Sequence, residues 1–206
     1  MPLVVKSSYI EGSKGTLICE EDSKMEQPVV SGIMYDKNQA KITLKEVPDQ
    51  PGIAANIFEP LADAGLSVDM IIQNISAEGH TDLSFTLGRE ELNEAMGIME
   101  KVSKKIRAEN VSADSKIAKI SIVGAGMRSH SGVAARIFKF LSKAKINVLM
   151  ISTSEIKVSC IIEQKHTKVA VTTLHKAFGL DSKPTSARNI DKKNSSDQNK
   201  SKTKKK

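Results

Sequence analysis

The chain has no tryptophan, two tyrosines and five phenylalanines among its 206 residues. With so few rings, the interior has to be filled by Ile, Val, Leu, Ala and Met. The same scarcity removes the stacking platform that single-stranded nucleic acid requires. Two cysteines, Cys19 and Cys160, stand far apart with no C-x-x-C or zinc spacing, which excludes a disulfide framework and a zinc module. Cys160 lies in an apolar run and reads as a buried small hydrophobe. Such sparse cysteine usage is expected of a reducing, cytoplasmic setting. No apolar run approaches the ~20 residues that span a bilayer. Met1-Pro-Leu-Val-Val-Lys6 lacks the pattern of a signal peptide. The four histidines, His80, His130, His166 and His175, are scattered, and none has a cysteine or carboxylate at nucleophile or metal spacing.

Net charge is also missing from most of the chain. The formal net charge of +7 points at first to a polyanionic partner, but its location removes the suggestion. Nine of the 31 Lys and Arg and two of the 24 acids fall between Lys183 and Lys206, which leaves 22 of each sign in the first 182 residues. The body is neutral and the basic character belongs to residues 182–206. That segment is rich in Lys, Ser and Asn and poor in apolar side chains, so it reads as a disordered tail. It is either a solvated terminus or an arm for an acidic partner.

What the chain does contain is an internal repeat. Over residues 52–71 against 132–151, ten of twenty positions are identical. Gly52/Gly132, Ala54/Ala134, Ile57/Ile137, Leu61/Leu141 and Met70/Met150 are among them. The preceding Ala40-Lys-Ile-Thr43 matches Ala118-Lys-Ile-Ser121 at an offset two residues shorter, so the slip falls in the loop between strand and helix. Each unit reads as βαββαβ, the ferredoxin-like module. In the first unit, Ile42 and Leu44 alternate with polar residues in a strand. Ile53, Ile57, Leu61 and Ala64 follow at helical spacing, with Gly65 as the stop. Strands over 66–72 and 83–87, a helix over 90–105 and a short strand over 111–115 complete it. The second unit offers a strand over 118–124, a helix over 132–144, strands over 146–151 and 156–162, and a helix over 166–178. It then stops without a fourth strand. Pro28 to Tyr35 is a strand that the first unit does not need. The inference is that it completes the second unit, with the first inserted in the second.

At Val47-Pro-Asp-Gln-Pro-Gly52 and the helix after it, the chain resembles the ACT family of small-molecule sensors. Gln73-Asn-Ile-Ser76, Val123-Gly-Ala-Gly-Met127, Ser129-His-Ser-Gly132 and Ile151-Ser-Thr-Ser-Glu-Ile156 narrow the resemblance to the paired regulatory ACT domains of aspartokinase. It covers roughly residues 28–180. Pro2 to Tyr9 and Gly15 to Ile18 look like the last strands of the aspartokinase catalytic domain. The family pattern has proline in the second loop where Ser131 stands. The resemblance implies an α+β chain: 1–20 as an edge of the kinase domain, 21–27 as linker, 28–39 as the strand completing the second module, 40–115 and 116–181 as the two ACT modules, and 182–206 as tail.

The implied activity is regulation of aspartate kinase by lysine or threonine. A free amino acid brings a carboxylate, an ammonium and a side chain. The first helix of each unit begins just after a glycine, where unpaired N–H groups suit a carboxylate. Asp49 is placed to accept the ammonium, Gly52 to let the ligand approach and Ala54 to keep the next turn uncrowded, with Ile53 beside it in the implied site. Val133 and Ala134 are their counterparts. The resemblance places the rest of the pocket at Gln73, Asn74, Asn147, Val148, Ser152 and Thr153. Taken singly, a residue such as Asp49 is more often a turn residue or helix cap than a ligand contact, and Gln73 and Asn74 read also as strand-end polar residues facing water. Asp69 and Glu155 are the acids that could meet a second ammonium. No lysine-bearing, glycine-rich phosphate segment occurs, so ATP and Mg²⁺ are expected on an absent kinase domain and the chain is expected to be inactive alone. The expected partners are a second copy or a catalytic aspartokinase subunit. A membrane and nucleic acid are not expected. The chain reads as a regulatory subunit, as the C-terminal part of a longer aspartokinase, or as a free-standing ACT amino-acid binder.

Overall fold

The structure is a computed structural model. It describes residues 3–6, 8–9, 15–18, 29–75, 79–128 and 130–181. The basic tail and the linker over 21–27 lie outside these residues. Near the N-terminus, β1 (Leu3–Val5) and β2 (Thr16–Ile18) pair as an antiparallel ribbon. The rest runs β3 (Gly32–Pro48), α1 (Ile53–Asp63), β4 (Val68–Ile75), β5 (His80–Gly88), α2 (Leu92–Ile106), β6 (Asn110–Val123), α3 (Val133–Lys143), β7 (Met150–Thr153), β8 (Lys157–Glu163) and α4 (Thr167–Ala177). Six strands form one antiparallel sheet in the order β4-β5-β3-β6-β8-β7.

Two strands, β3 and β6, are much longer than the rest, at 17 and 14 residues. The far half of β3 pairs with β5 and with the near half of β6. The near half of β3, Gly32 to Asp36, pairs with Val123 to Lys119 in the far half of β6. Each βαββαβ unit therefore takes its fourth strand from the long strand of the other. Residues 32–36 close the second unit, and the first unit is inserted within it.

The module boundaries read from the sequence, at 39/40 and at 115/116, fall inside both long strands. The structure keeps each continuous and bends it instead. Asp36 Oδ1 accepts the Asn38 N–H at 2.8 Å, and Asp114 Oδ1 accepts the Lys116 N–H at 2.8 Å. These two aspartates are equivalent in the repeat. Each folds its backbone into a local turn, and the ladder between β3 and β6 shifts register around Gln39 instead of ending.

The two helical faces bury separate cores. Ile42, Leu44, Ile57, Leu61, Leu83, Phe85 and Met99 lie under α1 and α2. Ile120, Ile122, Ile137, Leu141, Val158, Cys160 and Leu174 lie under α3 and α4. These lists are the same positions of the repeat, which is why one hydrophobic pattern builds both. A third, smaller cluster of Met70, Ile117, Met150 and Ile161 lies on the opposite face of the sheet. There the two outermost strands, β4 and β7, come into contact. A sheet whose edges meet across its bare face has to be strongly coiled.

One strand differs from expectation. The second unit's edge strand is read over 146–151, and the structure has β7 over Met150–Thr153. Ile146 donates its N–H to Leu141 O and finishes the end of α3, with Lys145 at φ 57. Val148 then packs toward the helices and Leu149 toward the third cluster. A regular strand cannot place neighbours i and i+2 on opposite faces, and Val148 and Met150 do so, so the ladder starts only after the switch.

Two stability predictions follow from the packing. A Cβ on Gly124 would stand 2.2 Å from Val29 O, where the chain entering β3 crosses the loop after β6. Gly124→Ala should lower the unfolding free energy by at least ~2 kcal/mol, within the range for overpacked sites. Gly97, inside α2, has nothing within 4 Å of an added Cβ, and Gly97→Ala should raise stability by up to ~1 kcal/mol. Urea unfolding of both variants checks the pair. The Cys160 thiol is pushed up to about 11 by burial. In a Cys19→Ser background at pH 8, a thiol reagent should therefore label Cys160 only at the rate of unfolding.

Candidate ligand site at the ends of the edge strands

The loop between β3 and α1 is exposed, and Asp49 lies in it with its side chain in solvent. Its backbone N–H donates to Gly79 O at 2.9 Å, tying the loop to the start of β5. Gly52 stands at φ 87 and Gly132 at φ 88, both just before a helix. Nothing lies within 4 Å of a Cβ at either position. Glycine is thus required at both by the left-handed backbone, while the space beside it stays open. Ile53 and Val133 point into the cores at 4% and 8% exposure, so they anchor the first turns and offer a ligand only backbone. Ala54 is exposed and Ala134 half-buried. The Ile53 N–H is taken by Gln50 O. The next N–H groups of the first turn have no intrahelical acceptor and aim outward from the helix end.

Gln73 and Asn74 sit exposed near the end of β4, opposite Leu83 and Asp82. Thr81 Oγ1 donates to Asn74 O and steadies that end of the strand. Ile75 and Val47 both pair with Thr81, so Asp49, Gly52 and Ala54 lie at the same end of the module as Gln73 and Asn74. On the second unit, Ser152 and Thr153 end β7 opposite Ser159 and Val158. The Gly124 N–H donates to Ile156 O, which joins the loop before α3 to the turn after β7. Val133, Ala134, Ser152 and Thr153 therefore repeat the first arrangement. Asn147 and Val148 lie at the other end of β7, away from that set.

Two open cavities lie along this edge. One of about 320 Å³ is lined by Ile72, Asn74, Ser84, Val148 and the strand to Ile151. It brings Asn74 of the first unit together with Val148 of the second. A neighbouring one of about 470 Å³ is lined by Phe138, Leu141, Lys145, Asn147, Val148 and Ile151. Asp49, Gly52 and Ala54 line neither. The floor of the bare face carries two matching hydroxyl pairs, Thr43 with Ser84 and Ser121 with Ser159, each at 2.9 Å.

Ile72, Ser84 and Ile151 are site-lining residues that the sequence reading misses. Their signal is the alternation of β4, β5 and β7, but alternation does not say that the bare faces of the two units meet. Asp69, a candidate for a second ammonium, is engaged by Lys119 Nζ from β6. Glu155 is exposed in the turn between β7 and β8. Among the described residues no group of three or more His, Cys, Asp or Glu converges as a metal site. No helix among them is long and apolar enough to cross a membrane.

A model of the ACT domain matches twice, over residues 45–102 and 120–178. An aspartate kinase of Pseudomonas fluorescens is 49% identical over 181 residues, covering 88% of this chain and 44% of that protein. The chain thus spans less than half the length of the curated relatives it matches. A crystal structure of aspartokinase alpha and beta subunits superposes with a TM-score of 0.69 at 49% identity, over 73% of this chain and 99% of the matched one. The ligand-free regulatory subunit of aspartate kinase from Thermus thermophilus superposes with the same TM-score, 0.69, at 37% identity, again over 73% and 99%. The chain belongs to the ACT domain family and, within it, to the tandem-ACT regulatory region of aspartokinase.

Proposed function

We propose that the chain senses a free amino acid and sets the activity of an aspartate kinase, the enzyme that converts ATP and L-aspartate to 4-phospho-L-aspartate. The effector is lysine or threonine, and the response is feedback inhibition. The observation that carries this reading is the strand exchange between two ACT units, in a chain that covers 99% of a regulatory-subunit chain and 44% of the kinase relatives. The exposed helix start at Gly52, the carboxylate of Asp49 and the amides of Gln73 and Asn74 supply complements to a carboxylate, an ammonium and a polar side chain. They lie at one end of one module. The second module repeats the helix start and the strand end, but nothing corresponds to Asp49.

The kinase chemistry belongs to a catalytic half, which is where ATP and Mg²⁺ bind; the chain itself uses no cofactor. It acts in the cytoplasm as a homodimer, on a catalytic aspartokinase subunit or both. Unpaired edges at β4 and β7 leave backbone groups available for such pairing. Effector binding shifts the kinase only if the two states bind the effector differently, with a coupling of roughly 1–3 kcal/mol.

Titration calorimetry with lysine, threonine and methionine should give saturable heat for at least one of them. Neither heat nor a thermal shift at millimolar concentrations of all three would overturn the proposal. Asp49→Ala should weaken the effector by about fivefold, close to the ~1 kcal/mol of one charge-assisted contact. Asp63→Ala, an exposed carboxylate at the far end of α1, should leave affinity unchanged. The purified chain should show no ATP-dependent phosphorylation of aspartate.

A further inference from the structure

Among the positions at which the two units differ is one that the function above does not use. Asp69 of β4 corresponds to Leu149 of the second unit. Lys119 of β6 corresponds to Lys41 of β3. Leu149 packs into the apolar cluster between the units. Asp69, at the matching place, pairs with Lys119 across the same junction. One side of the junction is thus closed by a hydrocarbon contact and the other by an ion pair.

The pair is built, not incidental. The β4–β5 ladder carries an extra residue between Val68 and Ile71, a bulge centred on Asp69 and Met70. The second unit makes the same switch of faces ahead of its ladder, since Val148 and Leu149 precede the first β7–β8 pair at Met150. A bulge re-aims side chains. Here Val68 packs with the helices, Met70 lies in the cluster on the bare face, and Asp69 reaches Lys119. The Met70 N–H, displaced from the ladder, is taken by Thr86 Oγ1 at 3.2 Å. Asp36 of β3 stands opposite Lys119 in the ladder, but the Asp36 oxygens are held by the Asn38 N–H and the Gln39 side-chain amide. The side chains of Lys119 and Asp69 are 21% and 39% exposed, so water weakens the pair without abolishing it.

We propose that Asp69 and Lys119 are positioning residues that fix β4, and with it Gln73 and Asn74, against the second unit. The pair makes the strand end that carries the ligand groups answer to the sheet of the other module. Occupancy at the first pocket is then reported to the second unit through this contact. The inference about signalling rests on the sensing function proposed above, whereas the positioning role does not.

Amide hydrogen exchange on the full chain separates the two. Lys119→Met and Asp69→Asn should each speed exchange of the β4 amides from Ile71 to Asn74 by about fivefold, the size expected for one partly exposed pair. Amides of Leu44 and Phe85 in the first core should keep their wild-type rates. Concentrated salt should reproduce the effect in the wild type and add nothing in the variants. The charge exchange Asp69→Lys with Lys119→Asp should restore at least part of the protection. Unchanged β4 rates in both single variants, or a loss spread equally over Leu44 and Phe85, would overturn the positioning role. So would a double variant no better protected than the singles. In a second arm, a saturating amino acid that binds the wild type should slow exchange in β8 of the wild type and not of Lys119→Met. Equal slowing in both would sink the signalling claim alone. Absence of any binding amino acid would count against the sensing function and leave the first arm standing.

Discussion

Everything in this molecule depends on two strands that each serve two cores. Half of β3 lies over α1 and α2, and the other half closes the sheet under α3 and α4. β6 does the same in the opposite sense. Unpairing either strand would strip ladder hydrogen bonds from both units and expose apolar surface in both. The backbone therefore enforces a common fate that a flexible linker between two domains would not. A turn built on Asp36 and another on Asp114 let the shared strands bend from one unit to the other without breaking the ladder.

This arrangement suits regulation because it gives the two units a short, stiff path to each other. Among the described residues, the buried apolar cluster between the bare faces is small, formed by Met70, Ile117, Met150 and Ile161. Such a junction can shift at modest cost, while the two helical cores stay packed. Polar ties also join the two units. Lys119 reaches Asp69, and Arg89 at the end of β5 donates to Lys37 O and to Gln164 Oε1 of the second unit. Interactions of that kind respond to small displacements more sharply than apolar contacts do, since hydrogen bonds depend on direction.

Much of the fold was legible beforehand for a specific reason. A repeat at nearly constant offset puts the same residue types in both cores, so Ile57 and Ile137, or Leu61 and Leu141, had to do the same work. The second unit's missing strand was visible as an imbalance of strands between the units. The unbroken course of β3 through 39/40 was not visible, because Asp36-Lys-Asn-Gln39 has a linker's composition. Only its cross-strand partners make it a strand. The start of β7 was misplaced for a similar reason: Ile146 and Val148 alternate as a strand would, yet the end of α3 claims one and the helical core the other.

The candidate site divides in the same way. Gly52 and Gly132 announced themselves through the repeat, and their left-handed backbone gives the physical cause. Asp49, Gln73 and Asn74 were recognisable as polar residues at loop and strand ends. That Asn74 and Val148 line one cavity, or that Asp69 is engaged by Lys119, no local pattern could say. By itself the sequence determined the periodicities: which residues face a core, where helices start and stop, and that the units are two copies of one design. The tertiary structure alone decided how the copies meet. Periodicity is written in a residue's neighbours along the chain, whereas the meeting of β4 with β7 depends on the coiling of a whole sheet.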